Sequence, residues 1–196
     1  MNFKGHVSRM CGVDLDPRVA QNPFLDEGKV SDAGSIPYAD QTFDLVFADN
    51  VMEHLEYPDV VFKEVFRVIK PGGVLLFKTP NAAHYMPLIA RLTPHGFHRF
   101  VNRLRGRAAV DTFPTRYKAN TAAQVRRLAK HAGFAVDRIT LTESRPEYLR
   151  ILAPLYMAGF LYERLVNSSS LFEGLRILLI AELRKPDATE FLGRQS

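Results

Sequence analysis

The sequence predicts an open α/β sheet in which strands alternate with helices. Three short apolar runs indicate strands, and they extend from Met10 to Leu15, from Phe43 to Ala48 and from Val74 to Lys78. Each run is bounded by turn-forming residues and is too apolar for a strand with one solvated face, which favours a parallel sheet covered on both faces. Helical patterns follow the second and third runs, and this alternation is typical of an α/β fold.

The first helix is predicted between the second and third strands. Pro58 suits its first turn, and apolar residues recur at helical spacing from Val61 to Ile69. The sequence Lys70-Pro71-Gly72-Gly73 ends this helix and turns the chain into the next strand.

A second helix is predicted from Thr121, which forms a capping box with Gln124. Gly133 is its expected C-terminal stop. Two further strands are predicted over Ala135 to Leu141 and Leu175 to Leu183. The order of elements therefore remains that of an open α/β sheet.

The length of 196 residues predicts a single domain. Its core is expected over residues 10–80, with a basic insertion at 85–118 and an apolar insertion at 146–172. Insertions of this kind commonly build the substrate side of a site.

Composition excludes several classes of protein. Cys11 is the only cysteine, so no internal disulfide can form, and a reducing cytoplasm is expected. The N-terminus has no apolar segment of a secretory signal, and no uncharged run approaches the roughly 18 apolar residues of a membrane-spanning helix. The sequence also lacks metal-ligand spacing, a Walker loop and a nucleophile elbow, so no metal site is expected.

Charge is divided unevenly along the chain. Residues 13–64 carry a net charge of −9 and residues 91–130 a net charge of +9. The basic segment 91–130 is compatible with nucleic-acid binding. It lacks interleaved aromatic residues and zinc-ligand spacing, so a solvated basic face is favoured. The arginines of this segment are either part of that face or a site for an anionic substrate. They are Arg91, Arg99, Arg103, Arg105 and Arg107.

Asp14 closes the first predicted strand. An acid at the carboxyl end of a parallel strand can accept hydrogen bonds from a ribose diol. Aspartate also begins turns and caps helices, so Asp14 alone leaves both interpretations open.

An ordered series of motifs resembles a known family. The series runs from VDLDP at 13–17 through SDAGSIPYADQTFDLVFA at 31–48 and EHL at 53–55 to FRVIKPGG at 66–73. It resembles the class I S-adenosylmethionine-dependent methyltransferases of the type 11-like subgroup. The resemblance implies a Rossmann-like methyltransferase sheet with helices on both faces, and S-adenosyl-L-methionine as cofactor.

The resemblance implies a role for each residue that matches the family motif. Asp14 would bind the ribose hydroxyls, and Leu15 would pack against the adenine. Asp32 would accept from the adenine amino group, and the backbone amide of Ala33 would face the ring.

Further residues lie after the second and third strands. Asp49 and Asn50 would line the methionine end of the cofactor. His54 is the first candidate for a catalytic base, with packing or helix capping as its alternative role. His84 and Tyr85 are second candidates.

The sequence departs from the family at its beginning. The family places a strand and a glycine-rich loop before the ribose-binding acid, whereas only thirteen residues precede Asp14. We therefore expect an N-terminally truncated methyltransferase, most simply explained by a misassigned start codon. The absent strand would lie between the Met10–Leu15 and Phe43–Ala48 strands, so both are expected to lack a ladder partner.

The expected function is methyl transfer to a small-molecule or glycan acceptor, with a hydroxyl favoured. Residues 113–121 resemble a stretch in methyltransferases of bacterial polysaccharide or glycolipid pathways. The apolar segment 148–162 predicts a lid helix or a homodimer surface, with peripheral membrane contact beside a lipid-linked substrate as another interpretation. The alternative function is that of a non-catalytic remnant with a binding or scaffold role.

Overall fold

The computed structural model describes residues 4–85, 87, 114–143 and 153–187. The strands in these ranges are β1 (Cys11–Asp14), β2 (Glu27–Val30), β3 (Phe43–Asp49), β4 (Ile69–Pro80), β5 (Ala135–Thr142) and β6 (Leu178–Arg184). The α-helices are α1 (Pro58–Val68), α2 (Ala122–Ala132) and α3 (Ala153–Ser168). Short 3-10 segments cover Pro17–Gln21, Met52–His54 and Ser170–Leu175.

These strands form two sheets. β1 and β2 make a parallel pair, and the larger sheet has the order β3-β4-β6-β5. β3 is parallel to β4, whereas β6 is antiparallel to both of its neighbours. The prediction of a parallel sheet is therefore wrong for β6. Its buried Leu179, Ala181 and Leu183 alternate with partly exposed residues, a pattern that antiparallel strands tolerate.

The two sheets separate where the resemblance places an additional strand. β1 belongs to the smaller sheet and β3 to the larger one, and within the described residues no strand pairs with both of them. Tyr38 bridges this gap. Its ring meets that of Phe43 edge-on at 5.0 Å between centroids, and Lys29 Nζ lies 4.1 Å from the ring centroid of Tyr38.

The core lies between the larger sheet and the helices α1 and α2. Phe62 of α1 and Leu128 of α2 are buried with Phe77 of β4 and Leu183 of β6. The rings of Phe62 and Phe77 are 6.0 Å apart and nearly perpendicular. This packing fixes the carboxyl ends of β3 and β4, next to which Asp49, Asn50 and His84 lie.

Both predicted helices are confirmed. α1 carries Pro58 in its first turn, and α2 has the capping box of Thr121 and Gln124. Gly133 ends α2 with φ of 98°, a left-handed conformation that glycine adopts at little cost. β2 was not predicted, because its sequence of Glu27, Gly28, Lys29 and Val30 contains no apolar run.

The two predicted insertions are described only in part. Most of the segment 85–118 lies outside the described residues, as do residues 146–152. α3 occupies much of the remaining apolar segment. Within the described ranges, every helix is too short or too polar to cross a membrane.

Candidate functional site

The structure brings Asp14 and Asp32 to the same edge of the small sheet. Asp14 closes β1, and its backbone carbonyl accepts a hydrogen bond from the amide of Ser31 at 3.0 Å. Asp32 comes directly after Ser31 in the chain, and its Oδ1 atom accepts a hydrogen bond from the amide of Gly34 at 2.7 Å. Both carboxylates are exposed. Parallel pairing of β1 and β2 therefore places two acids side by side.

An apolar side chain lies beside this acidic pair. Leu15 is 66% exposed although it follows a strand directly, so it offers apolar surface next to Asp14. Ala33 is partly buried and packs against the core, which fixes the backbone after Asp32. Leu15 lies between Asp14 and Asp16 in the chain. This surface can therefore pack against a flat ring whose edges carry polar groups.

Asp49 and Asn50 lie at the carboxyl end of β3, in the larger sheet. Asp49 forms an ion pair with Lys78 of β4 at 2.9 Å. Asn50 adopts φ of 54°, and its amide donates to the Lys78 carbonyl at 2.9 Å. Asparagine tolerates this left-handed conformation better than most residues, so the turn presents both side chains at the strand end.

His54 follows on the short 3-10 segment after β3. Its side chain is 32% exposed, and its Nδ1 atom lies 3.0 Å from the Pro114 carbonyl oxygen. The adjacent Glu53 is buried, and its Oε2 atom accepts a hydrogen bond from the Thr79 hydroxyl at 2.9 Å. Thr79 in turn accepts from Asn120 Nδ2 at 2.6 Å. Sequence reasoning missed Glu53, Thr79 and Asn120, since their positions in the chain show no spacing that signals contact.

A second cluster occupies the carboxyl ends of β4 and β5. His84 Nε2 lies 3.2 Å from Glu143 Oε2, and both side chains are almost fully buried. The rings of Tyr85 and Tyr162 pack around His84 at centroid distances of 4.1 and 5.4 Å. Burial, with the nearby Glu143 charge, raises the pKa of Tyr85 and raises that of Tyr162 to about 12. Both phenols therefore stay protonated at neutral pH.

A shallow groove of about 410 Å³ lies between the N-terminal ends of α1 and α2. Tyr57 and Val60 give it apolar surface, and Lys118 and Arg127 give it positive charge. Lys118 is already paired with Glu56 at 3.0 Å. The predicted anion-binding arginines Arg91, Arg99, Arg103, Arg105 and Arg107 lie outside the described residues.

The described residues fit the adenosine half of the cofactor implied by the resemblance. Asp14 and Asp32 supply exposed carboxylate acceptors at adjacent strand ends, which suit a ribose diol and an exocyclic amine. Leu15 supplies exposed apolar surface for a ring. The resemblance places Asp49 and Asn50 at the methionine end, and the structure shows the Asp49 charge balanced by Lys78.

Comparison with known proteins supports the family that the motif series resembles. A family model described as a methyltransferase domain matches residues 2–77. A probable S-adenosylmethionine-dependent methyltransferase of Mycolicibacterium smegmatis is 31% identical over 134 residues, which are 66% of this chain and 44% of that protein.

Two further relatives match shorter stretches. A malonyl-[acyl-carrier protein] O-methyltransferase of Hahella chejuensis is 33% identical over 78 residues, or 37% of this chain and 28% of that protein. The ubiquinone/menaquinone biosynthesis C-methyltransferase UbiE of Neisseria gonorrhoeae is 36% identical over 63 residues, or 30% of this chain and 26% of that protein. The chain thus spans less than half the length of each of these three relatives.

A solved structure shares the fold. The S-adenosylmethionine-dependent methyltransferase of Mesorhizobium loti superposes with a TM-score of 0.53 at 17% identity, covering 91% of this chain and 81% of that one. The superposition shows a shared fold. The family model and the Mycolicibacterium smegmatis relative support a class I S-adenosylmethionine-dependent methyltransferase.

Proposed function

We propose that this protein transfers a methyl group from S-adenosylmethionine to a small-molecule or glycan acceptor, with a hydroxyl as the favoured acceptor group. The observation that carries the proposal is the pair of exposed carboxylates, Asp14 and Asp32, at adjacent parallel strand ends. Acids in this position bind ribose and adenine in open α/β sheets. The exposed Leu15 beside them supports binding of an adenine ring.

Each residue of the site has a role in binding. Asp14 accepts hydrogen bonds from the ribose hydroxyls, and Leu15 packs against the adenine. Asp32 accepts from the adenine amino group, while the Ala33 amide faces the ring. Asp49 and Asn50 line the methionine end.

The cofactor supplies the methyl group as an electrophile bound to sulfur. The protein's main contribution is to orient the acceptor and exclude water, because methyl transfer is an in-line displacement. His54 accepts the proton that a hydroxyl group loses on methylation. Its partly exposed ring near the carboxyl end of β3 makes it reachable from the edge that carries Asp49.

The choice of a hydroxyl acceptor rests on His54. The relatives include an O-methyltransferase and a C-methyltransferase, so family membership alone leaves the acceptor atom open. A proton acceptor next to the methyl donor is needed for a hydroxyl, and the two oxygen atoms near the His54 ring suit an imidazole that gains a proton.

The division of the sheet favours a second candidate function. β1 and β3 lie in separate sheets, so the adenosine half and the methionine half of the proposed site belong to different sheets. A non-catalytic domain with a binding or scaffold role would tolerate this division. Loss of cofactor affinity would distinguish this candidate from the enzyme.

Isothermal titration with S-adenosylhomocysteine tests the proposal. We expect micromolar binding by the wild-type chain and binding about 10- to 100-fold weaker in Asp14→Ala, because hydrogen bonds to a charged group are lost. Asp44→Asn is the matched control, since Asp44 is an exposed aspartate at the opposite end of β3. Absence of binding by the wild-type chain would favour the scaffold role, and equal binding by Asp14→Ala would refute the assigned ribose site.

A further inference from the structure

His54 has an oxygen atom near each of its ring nitrogens. Nδ1 lies 3.0 Å from the Pro114 carbonyl oxygen, which is a hydrogen-bonding distance. Nε2 lies 4.0 Å from Glu53 Oε1, which is longer than a hydrogen bond but close enough for electrostatic attraction when the ring carries a positive charge. The ring therefore has an acceptor at Nδ1 and a carboxylate beyond Nε2.

Glu53 is held in place by buried hydrogen bonds. Its side chain is 6% exposed, and its second carboxylate oxygen accepts from the Thr79 hydroxyl at 2.9 Å. Asn120 Nδ2 donates to Thr79 Oγ1 at 2.6 Å and to the Pro80 carbonyl at 3.0 Å. Because Thr79 and Asn120 are fully buried, they leave the carboxylate little freedom to turn away from His54.

The loop before α2 is attached to the same glutamate. The backbone amides of Arg116 and Tyr117 donate to the Glu53 carbonyl at 2.6 and 3.2 Å. Pro114, which contacts the His54 ring, lies two residues before Arg116. Glu53 therefore organises both sides of the imidazole, one through its side chain and one through its backbone.

We propose that Glu53, fixed by Thr79 and Asn120, is a positioning residue that orients the His54 ring for proton acceptance in methyl transfer. The Glu53 carboxylate lies 4.0 Å from Nε2, where it faces the positive charge that forms on the ring as the imidazole reacts. This inference rests on the proposed function for its catalytic meaning. The structural claim about Glu53 and His54 can be tested separately.

Methyl transfer to a hydroxyl group forms one bond, breaks one bond and releases one proton. The hydroxyl oxygen forms a bond to the methyl carbon, and the bond between that carbon and sulfur breaks with its electron pair left on sulfur. The hydroxyl proton goes to His54 Nε2. The resulting imidazolium then lies between the Pro114 carbonyl and the Glu53 carboxylate.

Two other histidine–carboxylate pairs are less suitable. His84 is 1% exposed, so its pair with Glu143 has almost no surface that an acceptor can reach. His131 lies 3.8 Å from Asp59, but both side chains are more than half exposed, and water weakens such a pair. His54 combines a partly exposed ring with a buried carboxylate, and the exposed pair provides a matched control.

Reaction with diethyl pyrocarbonate measures the nucleophilicity of each imidazole without cofactor or acceptor. At pH 8, above the ordinary pKa of histidine, we expect His54 in Glu53→Gln to react several-fold more slowly than in the wild type, as followed by peptide mass spectrometry. Asp59→Asn should leave the His54 rate unchanged. If Glu53 only stabilises the fold, its substitution would loosen the site and the His54 rate would rise. An equal or faster rate in Glu53→Gln overturns the proposal.

Substitution of Thr79 tests the position of the Glu53 carboxylate while its charge is kept. Thr79→Val removes the hydroxyl that holds Glu53, whereas Thr79→Ser keeps it. We expect the slower His54 reaction in Thr79→Val and a nearly wild-type rate in Thr79→Ser. The same loss of reactivity in both variants would show that the methyl group, not the hydroxyl, matters, and would contradict the assigned role of Thr79.

Activity provides the second readout. With radiolabelled S-adenosylmethionine and either a phenol or a sugar as acceptor, kcat of Glu53→Gln should fall at least about tenfold, while KM and the affinity for S-adenosylhomocysteine remain unchanged. An unchanged kcat would overturn the proposal. Failure of the wild-type chain to bind S-adenosylhomocysteine would instead refute the proposed function, and the chemical modification rates would still decide the role of Glu53.

Discussion

Arg67 connects α1 to the segment that joins the two sheets. Its guanidinium donates to both carboxylate oxygens of Glu64, to Asp40, and to the carbonyl oxygens of Ile36 and Tyr38. The hydrogen bonds from Arg67 hold the pKa of Glu64 below its ordinary value of 4.5. One side chain therefore holds the connection next to Tyr38, which bridges the sheets.

Replacing Arg67 should cost stability in a pH-dependent way. We expect Arg67→Met to lower the free energy of unfolding by about 2 kcal/mol at pH 7, because several hydrogen bonds to a charged group are lost. A lowered carboxylate pKa adds stability above pH 4.5, and this part is lost as the pH falls through the folded-state value. The difference from the wild type should therefore shrink as the pH falls below 4.5, which urea denaturation at pH 7 and at about pH 3 measures.

A substitution on the same helix controls for this measurement. Lys63 is an exposed residue of α1, and Lys63→Met should change stability by less than about 0.5 kcal/mol. If the effect of Arg67→Met is equal at both pH values, the Glu64 interaction does not contribute as described.

The start of α2 links helix capping to the candidate site. Gln124 Oε1 accepts from the amides of Asn120 and Thr121, and Thr121 Oγ1 accepts from the amide of Gln124 at 3.2 Å. Asn120 also donates its side-chain amide to Thr79. The same capping box that begins the helix therefore holds the residue that reaches Glu53 through Thr79.

Loss of the cap should be measurable as thermal destabilisation. Thr121→Ala removes the side-chain acceptor and should cost about 1 kcal/mol, or about 2–4 °C in Tm for a chain of this size. Thr121→Ser keeps the hydroxyl and should stay near the wild-type Tm in calorimetry. An equally low Tm for both variants would mean that the methyl group of Thr121, and not its hydroxyl, provides the stability.

The described part of the molecule contains a larger sheet with a buried core and a small, partly exposed strand pair. Leu75, Phe77 and Leu183 of the larger sheet are fully buried. The strands β1 and β2 contain no buried residue. Isolated two-stranded sheets are marginally stable in water, so the small sheet depends on its contacts with the connecting segment.

Hydrogen exchange should reveal this difference. We expect amides of β1 and β2 to exchange at least about tenfold faster than those of β4 and β6, because the small sheet opens without unfolding the core. Mass spectrometry of peptides from each sheet measures both rates. Equal protection of the two sheets would show that they unfold as one cooperative unit, which contradicts the expected local opening.

Local patterns in the sequence predicted much of the architecture. The apolar stripe from Val61 and the capping box at Thr121 predicted α1 and α2, because both signals involve residues within one or two helical turns. The motif series indicated the methyltransferase family, which the family model and the Mycolicibacterium smegmatis relative support. The prediction of parallel strands is wrong for β6, and β2 was not predicted. Strand pairing depends on partners that are distant in the chain.

The candidate site likewise contains residues that the sequence predicted and residues that only the structure revealed. Asp14 and Asp32 were predicted from short motifs, and parallel pairing of their strands places them side by side. Their roles in cofactor binding stay predictions until binding is measured. Glu53, Thr79 and Asn120 had no local signal, since Glu53 and Thr79 are 26 positions apart and Thr79 and Asn120 are 41 positions apart.

The sequence by itself determined the α/β class and the helices α1 and α2, because each depends on a short-range pattern. Its ordered series of motifs also pointed to the methyltransferase family that the comparisons support. Only the tertiary structure decided that the strands separate into two sheets and that a buried carboxylate lies beside His54. The physical reason is that hydrogen-bonded strand ends bring distant residues to one edge. Burial there excludes water, so each polar side chain depends on the partners that the fold provides.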